Sequence, residues 1–364
     1  MNIVLAGGGT AGHTSPLIAT AQQLQRLSPG ASLLCVGTAR GLETRVIPDA
    51  GLELALIPPV PLPRRLTPEL FAVPGRLRQA VREAGDILRR HSADVVVGFG
   101  GYVSMPVYLA ARRAGLPIVI HEQNAVPGLA NRVAARFTRH VAVSFPDTKL
   151  PHARYLGLPV REAIAGLDRT AAAPDARRSF GLGGDLPVLL VSGGSQGARS
   201  INTALAGAAD ALLAAGINVL HVLGTANVTG DLVERRDPAT GAVYRPLAYV
   251  DAMEQAYAAA DLMVGRAGAG TVMETAMVGL PTVFVPLPHG NGEQARNARF
   301  LVEADAGVLV PDAALTAGLL AETVIGLVRQ PGRLATMAQT CRRLVPSGAA
   351  QELARLVLQA GEGR

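Results

Sequence analysis

The 364-residue sequence contains no tryptophan, few aromatic residues and only two cysteines. Two cysteines are too few for the disulfide framework of a small secreted protein, and Cys35 lies in an apolar run that predicts a buried strand, so we expect reduced thiols. A basic segment followed by an apolar one, the pattern of a signal peptide, is missing from the start. Glycines and Pro106 divide the uncharged stretch Val95–Ala111, which therefore predicts a strand, a loop and a helix rather than a membrane span.

Lysine is nearly missing as well, since Lys149 is the only one and arginine carries the remaining positive side-chain charge. The formal net charge is +6 at pH 7, a mildly positive balance that suits anionic ligands or an anionic membrane surface. Basic residues do not form a stripe interleaved with aromatic side chains. We therefore expect no nucleic-acid partner.

Apolar, strand-like runs alternate with helix-like runs along the chain, a pattern typical of parallel sheets covered by helices. The length exceeds that of one ordinary core, so we expect two domains, with a hinge in Gly157–Asp185. The first helix is predicted to begin near Ser15–Pro16, because proline suits the first turn of a helix. Strands are predicted at Asn2–Ala6, Ser32–Val36, Leu52–Ile57, Val95–Gly98, Pro117–His121 and His140–Ser144 in the first half, and at Pro187–Ser192, Ile217–Leu223, Asp261–Val264, Pro281–Val285 and Ala306–Leu309 in the second.

Two glycine-rich loops repeat at the start of the two halves. The segment GGTAG at residues 8–12 matches GGSQG at residues 193–197, and each follows an apolar strand and precedes a helix. A third glycine turn, RAGAGT at residues 266–271, opens the helix that carries Glu274. Helix N-termini with free backbone N–H groups suit a diphosphate, and Glu274 suits the hydroxyls of a ribose. The plainer interpretation of Glu274 is a first-turn carboxylate that stabilises the helix dipole.

Three other functions fit parts of these motifs. Residues 7–12 have the spacing G-x-G-x-x-G of a dinucleotide loop; the second strand ends without the expected carboxylate, but Arg40 leaves an NADP-dependent oxidoreductase open. The segment 193–197 is also a G-x-S-x-G, the nucleophile elbow of an α/β-hydrolase using Ser195, and Asp251 or Asp261 and His289 follow in the order of such a triad. That fold would leave the first domain without a role. A metal site at His121 and Glu122 lacks further ligands at suitable spacing.

Several motifs, in this order, resemble the MurG family of UDP-N-acetylglucosamine transferases. They are GGGTAGH at residues 7–13, GFGGYVS at 98–104, HEQN at 121–124, GGSQGA at 193–198, RAGAGT at 266–271 and PLPHGNGEQARNA at 286–298. The resemblance implies an α/β protein of the GT-B fold, with two Rossmann-like domains whose parallel sheets face each other across a cleft. It places an acceptor and membrane-associated domain at residues 1–160, to which a C-terminal helix in 345–364 returns, and a UDP-N-acetylglucosamine domain at 161–344.

The family reaction is the transfer of N-acetylglucosamine to the 4-hydroxyl of the muramyl sugar in the lipid-linked peptidoglycan precursor, lipid I, at the cytoplasmic face of the membrane. The resemblance implies inversion at the anomeric carbon, no metal and no cofactor. The departing UDP needs charge stabilisation, for which Ser195 and Arg161 are the candidates. The attacking hydroxyl needs a base: His13 is the first candidate, since histidine titrates near neutrality, and Glu122 is the second.

The resemblance also assigns residues to the donor and acceptor. Val250 would meet uracil through its backbone, Gln294 would bind the sugar, and the first glycine loop would cradle the acceptor diphosphate. Leu158 stands where the family usually has Asn, Ala11 replaces a common Gly, and Asn291 and Glu293 alter the segment before Gln294. The full set predicted to bind UDP-N-acetylglucosamine is Thr10, Ala11, Gly12, Asn124, Arg161, Ser195, Val250, Ala269, Gly270, Thr271, Val272, Met273, Glu274 and Gln294.

The segment between the third and fourth strands suggests a membrane contact. A helix from Pro74 is expected to bury one face, formed by Leu77, Val81, Ala84 and Leu88. Apolar residues before it, Leu66 and Phe71 above all, are flanked by arginines and predict insertion at an anionic inner-leaflet surface. A packed loop is the alternative. Tyr102 is a further candidate for contact with the acceptor or the membrane.

Overall fold

The structure is a computed structural model that describes residues 1–9, 11–39, 41–60, 72–183, 185–194, 197–228, 230, 232–288 and 292–363, the side chain of Ala11 excepted. The chain divides into two compact units. Unit 1 comprises Met1–Arg161 together with Gly348–Arg364, and unit 2 comprises Glu162–Ser347. Within the described residues, no helix is long and apolar enough to cross a membrane.

Unit 1 contains a seven-stranded parallel sheet in the order β3-β2-β1-β4-β5-β6-β7. Its strands are β1 (Asn2–Ala6), β2 (Ser32–Gly37), β3 (Glu53–Leu56), β4 (Val95–Gly98), β5 (Ile118–Glu122), β6 (His140–Val143) and β7 (Ala153–Tyr155). Unit 2 contains a second sheet in the order β10-β11-β9-β8-β12-β13-β14, in which only β10 and β11 pair antiparallel. Its strands are β8 (Val188–Ser192), β9 (Asn218–Val222), β10 (Arg235–Arg236), β11 (Val243–Leu247), β12 (Leu262–Gly265), β13 (Thr282–Phe284) and β14 (Gly307–Leu309).

The helices cover both sheets. They are α1 (Ala11–Leu27), α2 (Glu43–Asp49), α3 (Val73–Arg90), α4 (Gly101–Arg113), α5 (Leu129–Ala134), α6 (Glu162–Ala165), α7 (Arg169–Ser179), α8 (Arg199–Ala214), α9 (Met253–Ala259), α10 (Ala269–Val278), α11 (Glu293–Glu303), α12 (Ala317–Arg329), α13 (Arg333–Leu344) and α14 (Ala349–Glu362). The last of these, α14, belongs to unit 1, where it packs against α1.

The central strands are apolar throughout because helices cover both of their faces. Successive side chains of β1 alternate between two cores. Ile3 and Leu5 join the core that contains residues of α1 and α14. Val4 and Ala6 join the core that contains residues of α3 and α4. This pattern explains why the strands appear in the sequence as continuous apolar runs.

The predicted parallel α/β fold with two Rossmann-like halves is confirmed, and all eleven predicted strands are present with ends shifted by no more than one residue. Three strands were not predicted: β7, β10 and β11 are short or carry arginine and proline, so they lack a long apolar run. The predicted buried face of α3 is also confirmed, since Val81, Ala84 and Leu88 are buried.

The predicted start of the first helix, near Ser15–Pro16, is wrong. Helix α1 begins at Ala11, and Pro16 lies inside it. Proline has no N–H, so the helix lacks the backbone hydrogen bond that residue 16 would otherwise donate. The boundary between the units follows Arg161 and so lies within the predicted hinge, Gly157–Asp185, but the segment after it is folded largely as α6 and α7 and belongs to unit 2. Arg169 in α7 donates hydrogen bonds to the carbonyls of Tyr257 and Gly279, which ties this segment to the body of the unit.

Candidate active site

Each unit has a topological switch point, where the connections that follow two neighbouring strands lead to opposite sides of the sheet order. In unit 1 it lies between β1 and β4, with Ala6 opposite Gly98, and in unit 2 between β8 and β12, with Ser192 opposite Gly265. Ligands of open parallel sheets bind at such points, beyond the carboxyl ends of the strands. Both glycine loops therefore start at the positions where this fold places a ligand.

The first glycine loop, residues 7–12, is held by a carboxylate that the sequence analysis missed. Gly9 has φ of +91° and donates its backbone N–H to Oε2 of Glu43 at 2.8 Å. Oε1 of Glu43 accepts hydrogen bonds from the backbone and the hydroxyl of Thr38, at 3.0 and 2.9 Å. Glu43 is fully buried at the start of α2. Burial alone would raise the pKa of Glu43, but its hydrogen bonds hold that pKa below the usual value.

This arrangement corrects the prediction that the first glycine loop is an anion cradle for the acceptor, at least at Gly9. The amide of Gly9 already binds an anionic group of the same chain. It also removes support for the dinucleotide interpretation. The acidic side chain nearest the end of β2 is Glu43, which is buried and hydrogen-bonded to the loop itself, so it is not placed to receive ribose hydroxyls. Thr10 and Arg40 lie outside the described residues.

His13 lies in the first turn of α1, beside the start of α4. A methyl group placed on Gly101 would lie 3.7 Å from Nε2 of His13 and 3.2 Å from the carbonyl oxygen of Gly8. The loops that follow β1 and β4 are therefore in close contact at His13. Burial lowers the pKa of His13 to about 4, against the opposing effect of the Glu43 charge. At pH 7 the imidazole is therefore neutral, the state from which a general base accepts a proton, but its pKa is well below the value near neutrality that the sequence analysis expected, so it is a weaker base.

Glu122, the second candidate for the base, has a different environment. It is 2% exposed. Its Oε1 accepts the backbone N–H of Asn124 at 2.9 Å, and its Oε2 accepts from the backbone of Gly128 and from Nδ2 of Asn131, each at 2.9 Å. The hydroxyl of Tyr108 in turn donates to Oδ1 of Asn131 at 2.8 Å. This network indicates that Glu122 organises the loop that carries Asn124, which disfavours it as the base.

The neighbouring residues of unit 1 divide into buried and exposed groups. His121 is fully buried, and its Nε2 lies 3.3 Å from the carbonyl of Gly157 and 3.2 Å from the Ser144 hydroxyl, so it does not form a metal-binding pair with Glu122. Tyr102, by contrast, is 49% exposed. Among the residues that the structure describes, no three His, Cys, Asp or Glu side chains form a group able to hold a metal ion.

The second glycine loop, residues 193–197, is tightly packed at its ends. A methyl group on Gly193 would lie 2.2 Å from the backbone nitrogen of Ala198, and one on Gly197 would lie 2.1 Å from the carbonyl oxygen of Leu223. These positions therefore accept only glycine. Ser195 falls outside the described residues, so its role as a phosphate ligand stays a prediction.

Helix α10 provides the clearest anion-binding geometry of unit 2. It follows β12, and its N-cap is Gly268. Helix α8, which follows the second glycine loop, has Ala198 as its N-cap. Within the described residues, no N-cap side chain accepts a hydrogen bond from the first turn of either helix. Uncapped N-termini offer backbone N–H groups and a positive dipole end to a phosphate. Arg266, although it belongs to the same motif, is committed elsewhere, because it forms an ion pair with Asp312 and donates to the Ser200 hydroxyl at 3.0 Å.

Glu274 is positioned by a tyrosine that the sequence analysis missed. The Tyr257 hydroxyl of α9 donates to Oε2 of Glu274 at 2.8 Å, and Tyr257 is only 3% exposed. Two other predicted donor residues of the same helix, Val272 and Met273, are fully buried. Both side chains are therefore directed into the interior of unit 2. Val272 and Met273 can therefore contact a ligand only through their backbone. Ala269 is also buried, and Gly270 and Thr271 are half-buried.

Helix α11 is tied to the loops that follow β12 and β13. Oε1 of Gln294 accepts the backbone N–H of Leu287 at 2.9 Å, and Nδ2 of Asn297 donates to the carbonyl of Ala267 at 3.3 Å. Val250 is 8% exposed, which agrees with a role for its backbone rather than its side chain. Asn291 lies outside the described residues.

Of the remaining predicted residues, Glu293 belongs to unit 2 and the others belong to unit 1. Arg161 is exposed at the end of unit 1, Leu158 is buried, and Glu293 is half-buried at the start of α11. Gly12 and Asn124 belong to unit 1, at the first glycine loop and after β5.

The hydrolase interpretation fails on the position of its acid. Asp261 precedes β12, at the amino end of that strand, whereas residues 193–197 follow the carboxyl end of β8. Its carboxylate accepts from Arg177 at 2.8 Å and from the backbone of Val188, the first residue of β8, at 2.8 Å. Asp261 thus lies at the end of the sheet opposite to the carboxyl end of β8. His289 lies outside the described residues, and Asp251 is exposed.

Two doubly wound units, each with a glycine-rich loop at its switch point and with the last helix in the first unit, define the GT-B class of glycosyltransferases. The sequence profile of the glycosyltransferase family 28 N-terminal domain matches residues 3–143, and that of the family 28 C-terminal domain matches residues 188–353. The chain belongs to glycosyltransferase family 28.

Curated relatives and solved structures agree. The chain is 58% identical, over 99% of its length and 97% of the relative, to the UDP-N-acetylglucosamine–N-acetylmuramyl-(pentapeptide) pyrophosphoryl-undecaprenol N-acetylglucosamine transferase of Cutibacterium acnes. It is 56% identical to the enzyme of the same name from a Nocardioides species, over 100% of this chain and 99% of that one. The crystal structure of Acinetobacter baumannii MurG matches with a TM-score of 0.78 at 29% identity, over 98% of this chain and 99% of that one. The predicted family is therefore confirmed.

Proposed function

We propose that this chain transfers N-acetylglucosamine from UDP-N-acetylglucosamine to the 4-hydroxyl of the muramyl sugar of undecaprenyl-pyrophosphoryl-MurNAc-pentapeptide, in peptidoglycan synthesis. The observation that carries the proposal is the full-length identity of 58% to a relative named for this transfer. The oxidoreductase and hydrolase alternatives find no support among these relatives, which carry the transferase name.

We assign UDP-N-acetylglucosamine to unit 2. The uncapped N-termini of α8 and α10 support binding of the diphosphate, with Ser195 as a further ligand. Arg161, the other predicted diphosphate ligand, is the last residue of the first segment of unit 1. Glu274, oriented by Tyr257, would accept hydrogen bonds from the ribose hydroxyls. Gln294 would bind the sugar through its amide NH₂, because its oxygen already accepts from Leu287.

In this proposal the 4-hydroxyl of the acceptor attacks the anomeric carbon, the bond to UDP breaks with inversion, and negative charge develops on the departing diphosphate. Helix N-termini are suited to stabilise such charge without moving. The hydroxyl becomes acidic as its new bond forms, and neutral His13 would take the proton. The proposed reaction uses no metal and no cofactor.

We place the enzyme at the cytoplasmic face of the membrane as a peripheral protein, because the undecaprenyl chain confines the acceptor to the bilayer. Unit 1 would be the acceptor and membrane domain. Leu66 and Phe71, the proposed anchor, lie outside the described residues. In the sequence they precede α3, which carries Arg76 and Arg78. The exposed ring of Tyr102 is the further acceptor candidate in this unit.

The proposal is tested by incubating the protein with radiolabelled UDP-N-acetylglucosamine and a short-chain polyprenyl-pyrophosphoryl-MurNAc-pentapeptide. We expect UDP release together with a labelled disaccharide product. A parallel reaction with UDP-glucose should give little product. If the folded protein forms no disaccharide, or uses UDP-glucose as well as UDP-N-acetylglucosamine, the proposed function is wrong.

A further inference from the structure

The carboxylate of Glu43 is a buried ionisable group of unit 1 that the proposed reaction does not use. It is fully buried, and both of its oxygens accept hydrogen bonds. A buried charge is costly unless it is hydrogen-bonded, so a carboxylate in this position implies a specific role. Its partners come from two loops: Gly9 lies after β1, and Thr38 lies after β2.

Three glycines leave room for this side chain. A methyl group would lie 2.5 Å from Oε1 of Glu43 if placed on Gly8, 2.7 Å from its Cγ if placed on Gly37, and 1.8 Å from its Oε2 if placed on Gly41. Real side chains do not approach that closely, so each position admits only glycine while the carboxylate stays where it is. Part of the glycine signature at the start of the chain therefore serves Glu43.

The same loop leads to His13. Gly8 and Gly9 are consecutive, the Gly8 carbonyl lies against Gly101, and Gly101 lies beside Nε2 of His13. Because Glu43 holds Gly9 through a short hydrogen bond, the loss of that bond would loosen the loop at the point where it meets α4 and His13.

We infer that Glu43 is a positioning residue for the transfer reaction: its carboxylate holds the first glycine loop from inside unit 1 and thereby keeps His13 beside Gly101. This inference rests on the proposed function. Glu43 does not touch the substrates in this account, and it acts only through the loop and the imidazole. The charge of Glu43 also acts on the imidazole of His13: it raises the pKa of His13, although burial lowers that pKa by more.

The test compares the isosteric variant Glu43→Gln with Thr38→Ala, which removes one hydrogen bond to the same carboxylate but leaves the bond to Gly9. We expect Glu43→Gln to lower kcat by about 10²-fold, the scale of a misplaced reacting group, with the KM for UDP-N-acetylglucosamine nearly unchanged. Thr38→Ala should stay within about threefold of wild type by the same reasoning. Leu88→Ala, in the core of unit 1, controls for general destabilisation.

A kcat of Glu43→Gln within about threefold of wild type, or no lower than that of Leu88→Ala at an equal folded fraction, would overturn the inference. If Glu43→Gln does not fold, Gly8→Ala displaces the same carboxylate and should give the same selective loss of kcat.

The NMR ring signals of the histidines provide a readout that needs no turnover. Glu43→Gln should shift those of His13 and leave those of His221, in unit 2, in place; unshifted His13 signals would also contradict the inference. A wild-type protein without transferase activity would refute the proposed function, while the ring signals would still decide the role of Glu43.

Discussion

Residues 8–12 and 193–197 share their three glycines at the same positions, and both follow an interior strand of a seven-stranded sheet. In unit 1, the amide of Gly9 donates to the buried carboxylate of Glu43. In unit 2, the helices next to the switch point, α8 and α10, begin without a side-chain cap in the described residues. The first loop thus already binds an anion of its own chain, whereas the unit 2 helices can offer their N-termini to a substrate.

The comparison shows that a glycine-rich turn specifies a backbone path and not a ligand. Glycine allows the positive φ of Gly9 and Gly194 and the close approaches at Gly8 and Gly193. What the turn binds depends on the side chains that neighbouring elements bring to it. If the two units divide the work as proposed, unit 1 variants should affect the chemical step and unit 2 variants should affect donor binding.

The largest effect is expected for His13→Ala. We expect kcat to fall by roughly 10²–10⁴, the range for a lost general base, while the affinity for UDP-N-acetylglucosamine is unchanged. Steady-state kinetics with both substrates and titration calorimetry with UDP would measure the two quantities. A fall of less than about tenfold would remove His13 from the role of base.

In unit 2, Glu274→Ala should weaken UDP-N-acetylglucosamine binding by about 1–3 kcal/mol, because it removes charge-assisted hydrogen bonds to the ribose. Tyr257→Phe removes only the hydroxyl that orients Glu274, so its effect should have the same direction and be smaller, about two- to tenfold. Calorimetry with UDP measures both. Wild-type affinity in Glu274→Ala would reduce this carboxylate to a dipole-stabilising role.

The units should also differ in acid. Burial lowers the pKa values of His13 and His121 in unit 1, and of His221 in unit 2, to about 4. These folded-state pKa values lie below the unfolded value of 6.5, so the unfolded chain binds more protons between them. The stability they contribute is complete above pH 6.5 and is lost as the pH falls toward 4.

Unit 1 contains two such histidines and unit 2 contains one. Between pH 7.5 and pH 5, the free energy of unfolding of unit 1 should therefore fall by on the order of 1–2 kcal/mol more than that of unit 2. Hydrogen exchange, followed by peptide at both pH values, would resolve the units. Equal losses in the core strands of both would contradict this expectation.

The last expected effect is at the membrane. The double variant Leu66→Ser, Phe71→Ser should sediment with anionic vesicles about tenfold less than wild type, since insertion of apolar side chains adds to the attraction of nearby arginines. The matched control in unit 2 is Leu232→Ser, Val233→Ser, because both of those side chains are exposed. Equal binding of the two double variants would place the membrane contact elsewhere.

Much of the fold follows from the sequence, because a parallel strand covered on both faces must be apolar along its whole length. All eleven strands predicted from such runs are present. The positions of the glycine loops and of Glu274 follow in the same way, since turn residues and helix starts are local signals. β11, which contains Arg245 and Pro246, gives no such signal.

The contacts that shape the candidate site were decided by the tertiary structure alone. Glu43 meets Gly9, 34 residues away, because β2 lies beside β1. Tyr108 reaches Asn131 over 23 residues, and Tyr257 reaches Glu274 over 17. Local periodicity determines which face of an element is buried, but it carries no information on which distant side chain will share that burial. The sequence therefore specified two glycine loops at two strand ends, and only the order of the strands determined that one of them would hold a carboxylate of its own.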